Sequence, residues 1–350
     1  MKTSSLEEIR CKDREEVKNL TLLLRHEDVE TLLTFKDAIK AVEKISELEY
    51  LNQVDMPNRL NSETKSGWFR VMPAVVDGVD DDWKLMGLKA MNLIKGQGLR
   101  YMILLLSGKT GELLAAVDAA VITQMRTGAA TAVAAKFMAP KKVRKIGVIG
   151  SGFEARGQLL AVNEVLDFEE AVVFSPNQAN CERYAREMSD KLGKPVVSAG
   201  SSKDAIHDAE VVILATKTSK PVIDGQYLMN GCTILSIGST RLDLRELDDY
   251  SFLLGSKILV DHKEQVIDES ADVQSALKLK YITEQDFVEM KQVVGEGKTL
   301  RTNDKEILIY KSVGTALQDL AVAKIVYETA LAQNYGQHIE GFPYLKSMKK

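Results

Sequence analysis

Cysteine is scarce. The three residues, Cys11, Cys181 and Cys232, are far apart and form no CxxC pair. That excludes a CxxC zinc site and suits a reducing compartment. Histidine occurs four times, as His26, His207, His262 and His338, without metal-ligand spacing, so no metal is expected. An excess of positive charge is also missing. The formal net charge of −4 argues against a nucleic-acid binder that works by neutralising phosphates. The one basic cluster, Lys141, Lys142, Arg144 and Lys145, reads as a solvated connector. The longest apolar run, YMILLL at 101–106, is too short to cross a bilayer and reads as a buried strand. The N-terminal run is polar and lacks the apolar core of a signal peptide. A cytoplasmic protein with no membrane partner is the expectation. Repeats and low-complexity tracts are absent.

What is present is a chain of 350 residues, 45% apolar and 27% charged, enough for two globular domains. Residues 1–20 read as a charged extension. From Leu22 to about Tyr50 the apolar residues recur at helical spacing, and helices are expected there. Between Trp68 and Ala116 short runs separated by turn residues suggest an antiparallel or mixed sheet. Within it, SGKTGEL is a hairpin candidate, with Gly108 and Gly111 able to take positive φ. In the alanine-rich run that Pro140 closes, Thr127 is placed to cap a helix, and Arg126 before it to hold an anion at that helix start. Gly128, Ala129 and Ala130 would leave its first turn open to close approach.

From Lys145 to about Val260 strand-like runs (KIGVIG, AVVFS, PVVSA, EVVILAT, TILSIG, KILVDH) alternate with helical stretches. That alternation implies βαβ crossovers, hence a doubly wound parallel sheet covered on both faces. ITEQDFVEMKQVV and KSVGTALQDLAVAKIVYETALAQ read as helices beyond it. The first crossover opens on KIGVIGSGFEARGQLLAV at 145–162. Gly150, Gly152 and Ala155 match G-x-G-x-x-A between a strand and a helix, the setting of a dinucleotide turn. Gly150 permits the turn, Gly152 the approach of a pyrophosphate, and Ala155 helix–strand packing. The intervening Ser151, Phe153 and Glu154 belong to the same phosphate loop. The amides at the helix start offer donors and a partial positive charge.

The second strand ends at Ser175, where an NAD-specific site would carry an acid for the ribose 2′-hydroxyl. Ser175 and Asn177 offer hydrogen bonds to a 2′-phosphate instead, with Arg183 near, so NADP is preferred over NAD. Thr216, Gly238 and Val313, at the carboxyl side of later runs, complete the expected cofactor contacts. Lys89 lies inside the apolar run KLMGLKAMN, and a lysine there is either ion-paired or functional. Arg59 sits in the MPNRLN turn, where an arginine is ordinarily solvated. Trp68, Phe69, Met72 and Met91 read as core or as pocket lining.

Several segments, in one order over about residues 22–330, resemble the ornithine cyclodeaminase/mu-crystallin family: MPNRL, GWFRVMPA, MGLKAMN, ITQMRTGAATAVAAKFMA, IGVIGSGFEARGQLLA, IGSTRLDLRELDD, VDHKEQVIDESADV and EILIYKSVGTALQDLAVAKIVYE. The resemblance implies an α/β fold. A Rossmann dinucleotide-binding domain at 128–317 would join an α+β substrate-binding and dimerisation domain at 1–127 with 318–350, and the chain would be a homodimer. It also implies that Arg59, Lys89 and Arg126 line the substrate pocket, Arg59 and Arg126 holding the carboxylate, and that Lys89 acts in catalysis. Arg126 with Thr127 would also touch the cofactor. Three cations suit an amino or imino acid.

One position departs from the family. Cyclodeaminases carry an aspartate just after the SIGS strand, where Thr240 stands here; Asp243 reads as a loop or cap residue. Without that base, deamination is disfavoured, whereas hydride transfer is not. The expected activity is therefore NAD(P)H-dependent reduction of an imino acid C=N bond, or the reverse oxidation of an amino acid. The alternatives are NAD-dependent ornithine cyclodeamination, forming proline and ammonia, and a non-catalytic NADPH-binding crystallin-like or accessory protein.

Overall fold

The computed structural model describes residues 20–344 and Lys346; the charged run at 1–19, with Cys11, lies outside the described residues. By packing the chain divides into two units. The first takes the described parts of 1–33, 54–122 and 323–350, and the second takes 34–53 and 123–322. This differs from a split at 127/128 and 317/318 chiefly in assigning 34–53 to the second unit.

The first unit is built on a mostly antiparallel sheet. Its strands are β1 (Leu20–Leu24), β2 (Val54–Asp55), β3 (Leu60–Thr64), β4 (Gly67–Asp77), β5 (Lys84–Ile94), β6 (Gly98–Ser107) and β7 (Leu113–Asp118). β4, β5, β6 and β7 run side by side, and β1 adds parallel to β7. The terminal strand Gln337–Glu340 pairs with β1 on its other side. Leu22–Leu24 is thus strand, not helix; helix α1 (His26–Leu32) begins only after Arg25. A short apolar run carries no period that separates the two. In the hairpin, Gly111 takes φ +73°, but Gly108 does not take positive φ. Gly108 is required for another reason: a Cβ there would lie 2.7 Å from the Lys84 carbonyl carbon.

The pleat divides this sheet into two unlike faces. Met72, Lys89, Ile103 and Val117 lie in one cross-strand row and are all buried. The opposite face carries Val71, Val75, Met86, Leu88, Met102 and Leu104, which are half-buried or exposed, Met102 at 44%. The YMILLL run is therefore buried on one side only, because strand residues alternate faces.

The second unit opens with α2 (Phe35–Tyr50). The Thr34 hydroxyl caps it by accepting from the Asp37 amide, and Ala38, Ile39, Val42 and Ile45 form its buried stripe. Helix α3 (Ala120–Met138) enters this unit from the first. The parallel sheet comprises β8 (Lys145–Ile149), β9 (Glu170–Phe174), β10 (Val196–Ser198), β11 (Val211–Leu214), β12 (Thr233–Ser236), β13 (Gly255–Val260), β14 (Phe287–Glu289) and β15 (Ile307–Lys311). Its order is β10-β9-β8-β11-β12-β15-β13-β14, with parallel pairings throughout. Two strands depart from the sequence reading. Phe287–Glu289 was expected as helix, and Ile307–Lys311 inserts between β12 and β13. Helix α4 (Phe153–Asn163) follows β8, and α5 (Gln178–Leu192) follows β9. The chain leaves β8 toward β9 on one side and returns to β11 on the other. That places a topological switch point, the usual ligand crevice, at the carboxyl end of β8.

Candidate functional site

The glycine turn sits at that switch point. Gly150 has φ +115°, and a Cβ on it would lie 2.5 Å from the Ala215 carbonyl oxygen, so only glycine fits. Gly152 is the N-cap of α4, has extended backbone and makes no side-chain cap bond. A Cβ there would meet nothing within 4 Å. The first amides of α4 are therefore left without a side-chain cap, with open space in front of them. Ala155 is fully buried, while Phe153 is 57% exposed at the rim. These features fit a pyrophosphate: amides without a side-chain cap, a helix N-terminus and no side chain in the way.

Beside the turn lies a cavity of about 710 Å³, lined by Ser151, Gly152, Phe153, Ser175, Asn177 and Arg183, with Arg156 at its wall. The Ser151 and Ser175 hydroxyls are 2.8 Å apart and share a hydrogen bond. Asn177 caps α5, its Oδ1 accepting from the Asn180 amide. The two arginines differ. Arg156 donates to Glu187 at 2.9 Å and to the Ser151 and Gly152 carbonyls at 2.6 and 3.1 Å, and it stacks on Tyr184. Arg183 is exposed and donates to Asn180 Oδ1 at 2.8 Å. The second arginine is the one held only by a neutral neighbour.

Thr216 follows β11, Gly238 follows β12, and Val313 follows β15, all at the carboxyl edge of the sheet. Glu246 accepts from Thr216 and Gly238, and Asp261 accepts from Ser312, Val313 and Gly314. Glu246 lies in IGSTRLDLRELDD and Asp261 in VDHKEQVIDESADV, but nothing local in either segment marks the carboxylate for this role. Each is recognisable only through partners that are 8 to 53 positions away.

Arg126 and Thr127 are not at a helix start. They lie inside α3, whose Ala120 amide donates to Asp118 Oδ1, and Thr127 Oγ1 donates back to the Thr123 carbonyl at 2.6 Å. The alanine-rich run simply continues one helix through them. Gly128, Ala129 and Ala130 consequently fall mid-helix. Gly128 serves helix packing, since a Cβ on it would lie 2.7 Å from the Gly157 carbonyl of α4. Arg126, 6% exposed, donates from Nε to Asp319 at 3.0 Å and from Nη1 to Gln318 at 3.3 Å. Gly314 lies against its guanidinium: a Cβ there would fall 2.1 Å from Nη1.

In the first unit Arg59 is 9% exposed, hence not the solvated side chain that its turn suggests. Lys89 is 1% exposed, between Met72 and Ile103, with its Nζ 5.3 Å from the Tyr101 ring centroid. Met72 is core; Phe69, at 45%, is not. Thr240 lies in the loop after β12, and Asp243 forms a two-point pair with Arg241 at 2.9 and 2.6 Å. Among the described residues no group of three His, Cys, Asp or Glu is placed to hold a metal, and no helix is long and apolar enough to cross a membrane.

One half-buried carboxyl in the second unit sets a pH dependence. Burial pushes Glu49 of α2 up to about 7, with Glu289 and Asp261 adding to the rise and Lys291, 3.6 Å away, opposing it. A carboxyl that holds its proton more tightly when folded loses the folded state stability as pH rises from the ordinary carboxylate range to about 7. Above that range the penalty is complete. Glu49→Gln removes it. Relative to the native protein, the variant should gain up to about 3 kcal/mol on going from about pH 5 to about pH 8. Chemical denaturation at the two pH values checks this, and a constant difference would refute it.

The family model described as the ornithine cyclodeaminase/mu-crystallin family matches residues 19–334. The structure of Thermococcus litoralis Delta(1)-pyrroline-2-carboxylate reductase in complex with NADH and L-proline superposes with a TM-score of 0.86 at 35% identity, covering 91% of this chain and 100% of that one. An archaeal alanine dehydrogenase dimer with bound NAD gives 0.85 at 32%, covering 92% and 100%. The Delta(1)-pyrroline-2-carboxylate reductase of Bacillus cereus (strain ZK / E33L) is 30% identical over 277 residues, 77% of this chain and 84% of that protein.

Proposed function

Because the chain belongs to the ornithine cyclodeaminase/mu-crystallin family, we propose that it reduces the C=N bond of a small imino acid with NAD(P)H, or oxidises the amino acid in reverse. The observation that carries this reading is the Gly150–Ala155 turn, open in front of an uncapped α4 at the switch point. The relatives support the chemistry: one is named for reducing an imino carboxylate, another for dehydrogenating an amino acid. When bound, the nicotinamide supplies the hydride that reaches carbon. The chain's own residues supply the rest. Gly150, Ser151, Gly152, Phe153, Glu154 and Ala155 seat the pyrophosphate. Thr127, Thr216, Gly238 and Val313 touch the nucleotide, Arg126 with them. Arg59 and Arg126 bind the carboxylate, and Lys89 orients the substrate nitrogen and gives it a proton. Thr240 in place of a carboxylate leaves no base there for cyclodeamination.

The protein works as a homodimer in the cytoplasm in this reading. The apolar face of the first sheet, with Val75 and Met102 exposed, is the natural contact. The buried free thiols Cys181 and Cys232 suit a reducing compartment.

The test is the purified protein with NADPH or NADH against cyclic imines and 2-oxo acids with amines, followed by loss of nicotinamide absorbance. Ammonia release from ornithine with catalytic NAD⁺ and no net NADH would replace this reading by cyclodeamination. Tight nucleotide binding with no turnover would replace it by an accessory role.

The cofactor is NADP(H) in preference to NAD(H). Ser175 and Asn177 bring no carboxylate to the ribose, and Arg183 is free to move from Asn180 onto a 2′-phosphate. Arg183→Glu should lower kcat/KM with NADPH relative to NADH by about tenfold to a hundredfold. An unchanged ratio would remove Arg183 from the ribose site.

A further inference from the structure

We infer that Glu246 is a positioning residue that fixes the nucleotide-facing edge of the parallel sheet, by clamping the ends of β11 and β12 through one buried carboxylate. The inference rests on the reading that a dinucleotide lies over that edge. Glu246 is fully buried. Its Oε1 accepts from the Thr216 amide at 2.6 Å and from Thr216 Oγ1 at 2.8 Å. Its Oε2 accepts from the Gly238 amide at 2.7 Å and from Ser236 Oγ at 2.9 Å. Four donors thus fill the acceptor positions of both oxygens.

The clamp extends in two directions. On one side, Ser236 Oγ also accepts from Lys311 Nζ at 3.0 Å, which ties in the end of β15. Asp272 holds the clamp from behind, accepting from the Glu246 amide at 3.1 Å, and lies 3.8 Å from the Lys311 ammonium. On the other side, Thr216 backs the glycine turn. A Cβ at Gly150 would meet the Ala215 carbonyl oxygen at 2.5 Å and Thr216 Cγ2 at 3.4 Å, and one at Gly238 would meet the Thr216 carbonyl oxygen at 2.0 Å. Ala215 and Thr216 thus approach Gly150 and Gly238 too closely for any side chain there, so a shift of Thr216 moves the backing of the glycine turn.

An amide cannot replace this carboxylate. The two backbone amides bind opposite oxygens, so either orientation of a glutamine leaves one N–H facing an NH2 group. With volume unchanged, Glu246→Gln should release one strand end. Ser236→Ala keeps the carboxylate and deletes one donor, and serves if the first variant folds poorly. The experiment measures nucleotide Kd by calorimetry, KM for nucleotide and for imino acid, and the melting temperature, all on the full chain. The expected result is a rise of about tenfold in Kd and KM for nucleotide in the Gln variant and about threefold in the Ala variant. KM for the imino acid should stay within about twofold. Nucleotide constants equal to those of the native protein in both variants, whatever the melting temperature does, would reduce Glu246 to a structural strut and overturn the inference. A native protein that binds neither nucleotide overturns the reductase reading itself, and this inference with it.

Discussion

Lys89→Met should lower kcat by about 10²- to 10⁴-fold, the range lost when a positioned proton donor is removed. It should leave nucleotide affinity within about twofold. Lys89 is 1% exposed in a strand whose cross-strand neighbours are Met72 and Ile103. Taking an ammonium out of water costs several kcal/mol, so a side chain there for packing alone would be better apolar. Methionine keeps most of the stem volume and removes the charge. The fold should therefore be kept while turnover falls, a pairing that a purely structural lysine would not produce. Nucleotide affinity should be spared because the Gly150–Ala155 turn belongs to the other unit. Steady-state kinetics, calorimetry and a melting curve check the three parts. Turnover within a few-fold of the native rate would take Lys89 out of the mechanism.

Gly152→Asp should abolish nucleotide binding, by at least about a hundredfold in Kd, while stability holds or rises by about 1 kcal/mol. The backbone at Gly152 is extended and a Cβ meets nothing within 4 Å, so the substitution meets no steric barrier in the protein itself. Aspartate is a preferred N-cap, and its charge favours the positive end of α4. The same carboxylate then occupies the place and the sign of charge intended for the pyrophosphate. Opposite signs for stability and binding make the result hard to imitate by misfolding. Binding within tenfold of native would mean that no phosphate rests on this turn.

Much of the second unit was legible in the sequence because its determinants are local. Strand runs such as KIGVI and EVVILAT are continuous and apolar, as parallel strands buried on both faces must be. The glycine turn is likewise a property of a few consecutive residues. A short apolar run with no period of its own reads as helix where strand forms, as in Leu22–Leu24 and Phe287–Glu289. In sequence Thr127 reads as a helix start, whereas a single helix runs over Ala120–Met138. A threonine that bonds back to the carbonyl four residues earlier reads, in isolation, much like a cap.

By itself the sequence determined the βαβ succession, the Gly150–Ala155 turn and the odd placement of Lys89 in an apolar run. In each case the relevant physics acts within about one turn or one strand. Tertiary structure alone decided that Arg126 meets Asp319, that Gly314 must be bare beneath its guanidinium, and that Glu246 ties two strand ends together. A buried charge takes its meaning from partners remote along the chain, and folding is what brings them within hydrogen-bond reach.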